Sequence, residues 1–159
     1  LPIFGVGPDK LPYNEVYPEY PFDKDKEFKW VNEQLAPITT NYFKNVFPAT
    51  KYSHITIMKL EPGGWIDPHV DVFTNLGKNI NIPLTLPKNS MSCNEQGIIP
   101  YKIGCPTIFS AATYHAVYNN SSEDRYMISI SGCEISTEFK KEIVKEYIHQ
   151  RKRSLLASQ

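Results

Sequence analysis

Three metal-binding side chains stand in a pattern that chemistry can use. His69 and Asp71 lie in Asp67-Pro68-His69-Val70-Asp71, and His115 follows 46 residues after His69, in Tyr114-His115-Ala116-Val117. On an extended strand, residues i and i+2 face the same side, so His69 and Asp71 can converge on one atom. Two neutral imidazoles and a carboxylate make the facial triad that binds Fe(II) and leaves coordination positions open. A His-x-Asp triplet is a weak signal alone, because a turn Asp often caps backbone. Arg125 strengthens it, ten residues past His115 and beyond the polar stretch Asn119-Asn120-Ser121-Ser122-Glu123-Asp124. That spacing predicts a hairpin whose returning strand carries Arg125, Met127 and Ser129 on one face and Tyr126, Ile128 and Ile130 on the other. A guanidinium inside a barrel needs an anion, because an unpaired internal charge is costly. With iron present, the far carboxylate of 2-oxoglutarate suits its planar fork. The competing reading is a surface ion pair with Glu123 or Asp124.

Four further residues have two readings or a bland one. His54, on the face of Thr56 and Met58, either lines the pocket or is a hydrogen-bonded structural histidine. Asn81 either touches cosubstrate or substrate, or caps a strand edge. Trp65, after Gly63-Gly64, reads as a lid over a barrel mouth. His149 sits among charges near the C-terminus and reads as a surface group.

Strands are needed to hold such a site. From Tyr52 to Leu60 the period is two, with β-branched and aromatic residues, and Pro62-Gly63-Gly64 closes the run. Further strands are predicted over 66–72, 79–86, 98–102, 107–110, 114–119 and 125–131, with loops at Pro87–Asn94 and Asn119–Asp124. Many short strands between turn signals predict a sandwich or barrel. Before them, a Pro- and Tyr-rich arm covers residues 1–21 and a helix covers 24–36, stopped by Pro37. A second helix runs from Thr39 or Thr40 to Pro48 and buries Tyr42, Phe43, Val46 and Phe47. The chain closes on an amphipathic helix from about Thr137, with Phe139, Ile143, Val144, Tyr147 and Ile148 in one stripe. The expected organisation is one domain, with an N-terminal arm and helices over 1–50, a β core over 51–132 and a helix over 136–156.

Composition limits the function classes. Of 159 residues, 41% are hydrophobic and 21% charged, and 17 basic side chains balance 17 acidic ones. No global field favours nucleic acid or an anionic membrane, so neither is an expected partner. No apolar run is long enough for a membrane helix. Three cysteines without CxxC spacing fit a reducing compartment, and a cytoplasmic location is expected.

The run Pro62-Gly63-Gly64-Trp65-Ile66-Asp67-Pro68-His69-Val70-Asp71, followed by Asn79-Ile80-Asn81-Ile82-Pro83-Leu84, resembles the aspartyl/asparaginyl β-hydroxylase family. Gly104-Cys105-Pro106-Thr107-Ile108-Phe109, then His115, Asn119 and Arg125, resembles it too. The resemblance covers residues 52–132, about half of the chain. It implies a mainly β fold, a double-stranded β-helix or cupin-like jelly roll. It also implies an Fe(II)- and 2-oxoglutarate-dependent dioxygenase that consumes O2. His69, Asp71 and His115 would then be the metal ligands. Arg125 would bind the cosubstrate, with Ser129, Asn81 and Lys78 as further cofactor contacts. The implied reaction is hydroxylation of an amino-acid or peptidyl side chain. Some members of the family have Gly in place of the acid, whereas Asp71 is present here. The animal enzyme has a Ser on the strand before the metal motif and an Arg after it, where this chain has Met58 and Lys78 or Asn79. A cupin-type metal enzyme without 2-oxoglutarate, or a catalytically silent β-barrel binding module, is the alternative.

Overall fold

Strict alternation in β-rich segments lets one sheet serve two environments, and here the two faces have opposite chemistry. The computed structural model describes residues 1–5, 29–52, 54–71, 78–110 and 112–157. It comprises β1 (Pro2–Gly5), β2 (Lys29–Trp30), α1 (Pro37–Asn45), β3 (Ala49–Lys51), β4 (His54–Leu60), β5 (Trp65–His69) and β6 (Lys78–Pro83). Next come β7 (Ser90–Asn94), β8 (Gly97–Ile98), β9 (Thr107–Phe109), β10 (His115–Asn119), β11 (Arg125–Ile135) and α2 (Thr137–Ala157). A larger sheet has the order β2-β1-β4-β11-β6-β9, with β3 also on β11, and a smaller one the order β5-β10-β7-β8. Every pairing among the described residues is antiparallel. From β4 onward the chain switches between the sheets at nearly every connection. That alternation makes a cupin-like jelly roll, a double-stranded β-helix.

The apolar core lies outside the barrel, between the larger sheet and the helices. On β11, Ile128 pairs with Ile57 and Ile82, and Ile130 with Ile55 and Ile80. These isoleucines pack with Ile3, Phe43 and Phe47, and with Trp30, Tyr52, Phe139 and Ile143 around them. The other face of β11 carries Arg125, Met127, Ser129 and Ser131, and all four line the space between the sheets.

Several elements differ from the sequence expectation. Instead of a helix over 24–36, Lys29–Trp30 is a strand and a turn follows. Trp30 pairs with Phe4 on β1, and Asn32 takes a left-handed φ of 54° that ends any regular run. Residues 24–28, and the arm from residue 6, lie outside the described residues. Pro37 opens α1 rather than stopping a helix, because Pro lacks only an N–H that the first turn does not use. On α1, Phe43 is buried with Phe47 beyond it, while Tyr42 and Val46 are exposed. Ser90–Asn94, expected as loop, is β7. Its mixed Ser-Met-Ser-Cys-Asn sequence hid it, since one face borders a polar cavity and the other solvent. The strand expected over 98–102 shortens to Gly97–Ile98, and β11 runs on to Ile135. Among the described side chains of α2, the first turns dock. Phe139 and Ile143 pack on the core, whereas Val144, Tyr147 and Ile148 are exposed.

Candidate metal centre

β5 and β10 are neighbours in the smaller sheet, and their register places His69 directly opposite His115. The 46 residues between them in sequence collapse to one cross-strand pair. From His115 to Val117 β10 advances two residues, while β5 steps three, from His69 to Ile66. This extra residue is a bulge, and it re-aims the strand so that both Ile66 and His69 face the cavity. Asp71 lies two residues past the end of β5.

The ligand atoms of His69, Asp71 and His115 all lie within 4.8 Å of one another. His69 Nε2 is 3.5 Å from Asp71 Oδ1, and His115 Nε2 is 3.8 Å from Asp71 Oδ2. Each imidazole has its other nitrogen against a backbone carbonyl: His69 Nδ1 at 2.7 Å from Asp67 O, His115 Nδ1 at 3.0 Å from Thr113 O. A carbonyl only accepts, so both Nδ1 atoms carry the proton and both Nε2 lone pairs point at the shared centre. This donor set fits a divalent metal with open positions.

The centre opens on a cavity of about 540 Å³. Arg125 lies on its wall, only 3% exposed. Its Nη1 donates to Met91 O at 2.9 Å and its Nη2 to Ser92 Oγ at 2.7 Å. Among the described residues no carboxylate forms an ion pair with it; Asp124 pairs instead with Lys59 at 3.1 Å. The hairpin expected around residues 120–124 is also different, because β10 and β11 belong to different sheets. Arg125 therefore meets the histidine strand across the cavity and not beside it. Ser92 pairs with Val117, one strand repeat of about 7 Å along β10 from His115.

Ser129, Asn79 and Asn81 line the same cavity, as do His54, Thr56 and Met58. Lys78 opens β6 opposite Cys133, and its side chain lies outside the described residues. Asn81 donates to Tyr101 Oη at 2.9 Å, while its buried Oδ1 has no hydrogen-bond partner among the described residues. Burial lowers the pKa of His54 to about 4, so it stands neutral on the wall. Trp65 does not cover the mouth. It is 66% exposed and borders a separate shallow depression with Asp67, Met91 and Tyr118. Sequence reasoning missed Ser92 and Tyr101; the first sits on the unrecognised strand, and the second carries no motif.

Asn119, fully buried, ties the closed end together. Its Nδ2 donates to Leu60 O, Glu61 O and Glu123 O at 2.9–3.1 Å, and its backbone pairs with Gly63 and Gly64. Gly63 has φ +73°, and a Cβ on Gly64 would meet Glu61 O at 2.9 Å, so the Gly-Gly pair is what permits this approach.

A jelly roll with two sheet histidines and a nearby Asp gathered at the cavity between its sheets is of the cupin-like class, and this cluster could hold a metal. The family described as Aspartyl/Asparaginyl beta-hydroxylase matches residues 19–133, and the chain belongs to that family. No curated protein sequence matches it. Among solved structures it is similar to a cupin domain from Bordetella pertussis Tohama I, at 18% identity and TM-score 0.40, over 55% of this chain and 85% of that one. A predicted oxalate decarboxylase from Thermotoga maritima is similar at 17% identity and TM-score 0.38, over 54% and 69% of the two chains.

Proposed function

We propose that the protein is an Fe(II)- and 2-oxoglutarate-dependent dioxygenase that hydroxylates an amino-acid or peptidyl side chain. One observation carries this reading: a buried guanidinium with no carboxylate partner among the described residues shares its cavity with a His-Asp-His cluster. His69, Asp71 and His115 would hold the metal, and Arg125 the far carboxylate of the cosubstrate. The single strand repeat between His115 and the Val117–Ser92 rung suits a five-carbon diacid, about 5 Å between its end carbons. When bound, Fe(II) with 2-oxoglutarate and O2 supplies the oxidation, giving succinate, CO2 and a hydroxylated C–H carbon.

The chain's own part is to bind, orient and exclude water. Asp67 O and Thr113 O fix both imidazole tautomers. Arg125 orients a planar anion through a fork that an ammonium cannot copy. Ile66, Val117, Met58 and Met127 give the cavity apolar walls. His54, neutral at pH 7, adds no second cation to compete for the diacid.

Anaerobic Fe(II) plus 2-oxoglutarate should give a weak visible metal-to-ligand charge-transfer band. Removing one member of a buried charge pair typically costs about 3–5 kcal/mol, so Arg125→Ala should weaken 2-oxoglutarate by two orders of magnitude or so. Iron affinity should stay put. Iron binding without the band, or unchanged 2-oxoglutarate affinity in Arg125→Ala, sinks the proposal in favour of a cupin-type enzyme that does not use 2-oxoglutarate.

A further inference from the structure

Charge is balanced over the whole chain, yet α2 sorts its charges by side. Its first turns dock through Phe139 and Ile143, which pack on the core. Val144, Tyr147 and Ile148 face outward and are 56%, 61% and 48% exposed. The apolar positions of this helix therefore make two rows, roughly a third of a turn apart, and the second has no cover among the described residues. Val144 and Ile148 lie one turn apart in that second row. Lys140 and Lys141 stand one turn before Val144, both exposed and in no ion pair among the described residues. One turn beyond Ile148 the sequence places Arg151 and Lys152. Lys145, on the same flank, pairs with Glu142 at 2.6 Å, an exposed contact of little energy. Glu138, Glu142 and Glu146 are four residues apart and form a row of their own. Glu142 and Glu146 are each two residues from Val144, which on a helix is nearly the opposite side. An uncovered apolar ridge thus has cations at both ends and the acidic row behind it.

The charges choose between the occupants that such a ridge can take. A second copy would set the lysines of one ridge against those of the other, since the same patch serves both subunits. A protein groove that grips an amphipathic helix reads apolar anchors at i, i+3 or i+4, and i+7, but seven residues past Val144 stands Arg151. An anionic bilayer needs one side of the helix only. It takes a narrow apolar ridge between its headgroups and draws lysine and arginine to its phosphates. Exposed Tyr147 suits the same boundary, with an apolar ring and a polar hydroxyl. We infer that α2 lies along the surface of an anionic phospholipid bilayer, with Val144, Tyr147 and Ile148 among the headgroups and Lys140 and Lys141 on the phosphates. It rests on the bilayer and does not cross it. The balance of 17 basic and 17 acidic side chains hides this, because a bilayer responds to charge within a Debye length and not to the sum. No residue of the metal centre takes part, so the inference stands apart from the function proposed above.

Flotation of the full chain with lipid vesicles tests this. The probes are vesicles of phosphatidylcholine alone and of phosphatidylcholine with about 30% phosphatidylserine. The parent should float with the second and not with the first, and raised salt should release it. Lys140→Gln with Lys141→Gln should weaken partitioning by about tenfold or more, at roughly fivefold for each lysine. Val144→Ser with Ile148→Ser should weaken it by at least as much. Both double variants keep Phe139 and Ile143, so the helix should dock as before, which circular dichroism and the thermal midpoint check. Lys88→Gln with Lys102→Gln removes two exposed lysines away from α2 and should change nothing. A parent that floats with neither vesicle, or equally with both, overturns the inference. So does an equal loss from Lys88→Gln with Lys102→Gln, which would make the attraction a property of lysines anywhere on the surface. A parent dimer that Val144→Ser with Ile148→Ser renders monomeric also overturns it, because the ridge then belongs to a second copy.

Discussion

His54 has the most sharply perturbed histidine environment on the cavity wall, and the perturbation makes a pH-dependent demand on folding. Burial opposes its charged form and lowers its pKa from 6.5 to about 4. Between those values the unfolded chain takes up a proton that the folded chain refuses. Stability from this group is therefore full above pH 6.5 and is lost as pH falls toward 4. The fall corresponds to about 3 kcal/mol. Urea unfolding of the metal-free protein at pH 7, 5.5 and 4 should show this decline, and His54→Gln should flatten it. An identical slope in the variant would assign the acid sensitivity to other groups. Nothing in the sequence around His54 distinguishes it from a ligand, because burial is a property of the folded wall and not of Ser-His-Ile.

Asn119 acts at the scale of elements, since it joins the β4–β5 turn to the β10–β11 turn through one amide. Asn119→Ala removes the amide donor that three turn carbonyls share, and about 1–2 kcal/mol of stability should go. Chemical denaturation measures this, and a loss under 0.5 kcal/mol or so would show that the turns hold without it. The alternating segments at β4 and β11 were legible because one face packs on isoleucines and the other faces the cavity. β7 was not, because neither of its faces is an apolar core. The His-x-Asp pair could be read from its spacing, but the reason it converges with His115 could not. The bulge in β5 changes which residues face inward, and no residue in Asp67-Pro68-His69 announces it beyond the proline. Arg125 was placed on the correct face of its strand from parity alone. Its neighbours across the cavity come from β7 and the segment after β8, which only the fold brings there.

For the molecule as a whole, a metal held as proposed by His69, Asp71 and His115 would clamp β5 to β10. A ligand that binds only the folded state stabilises it by mass action, by about 2.7 kcal/mol at a hundred times its Kd. Mn(II) at that excess should raise the thermal midpoint of the parent, and His115→Ala should show no rise while keeping its own cooperative transition. A variant that gains as much as the parent would exclude His115 as a ligand. Among the described residues no helix is long and apolar enough to cross a membrane, and Cys93, Cys105 and Cys133 are free thiols.

The place of β11 has a consequence for how the chain comes off the ribosome. It is the last strand in sequence, yet it sits between β4 and β6 in the larger sheet and also receives β3. Until residues 125–135 have emerged, β4 and β6 have no common partner and their isoleucines have little to pack against. Until then β4 and β6 each keep an open edge, the condition in which nascent β chains pair with one another. Closure of the larger sheet is thus deferred until residues 125–135 have been made. A translational pause after β10 should lower the soluble yield more than the same pause placed after β11.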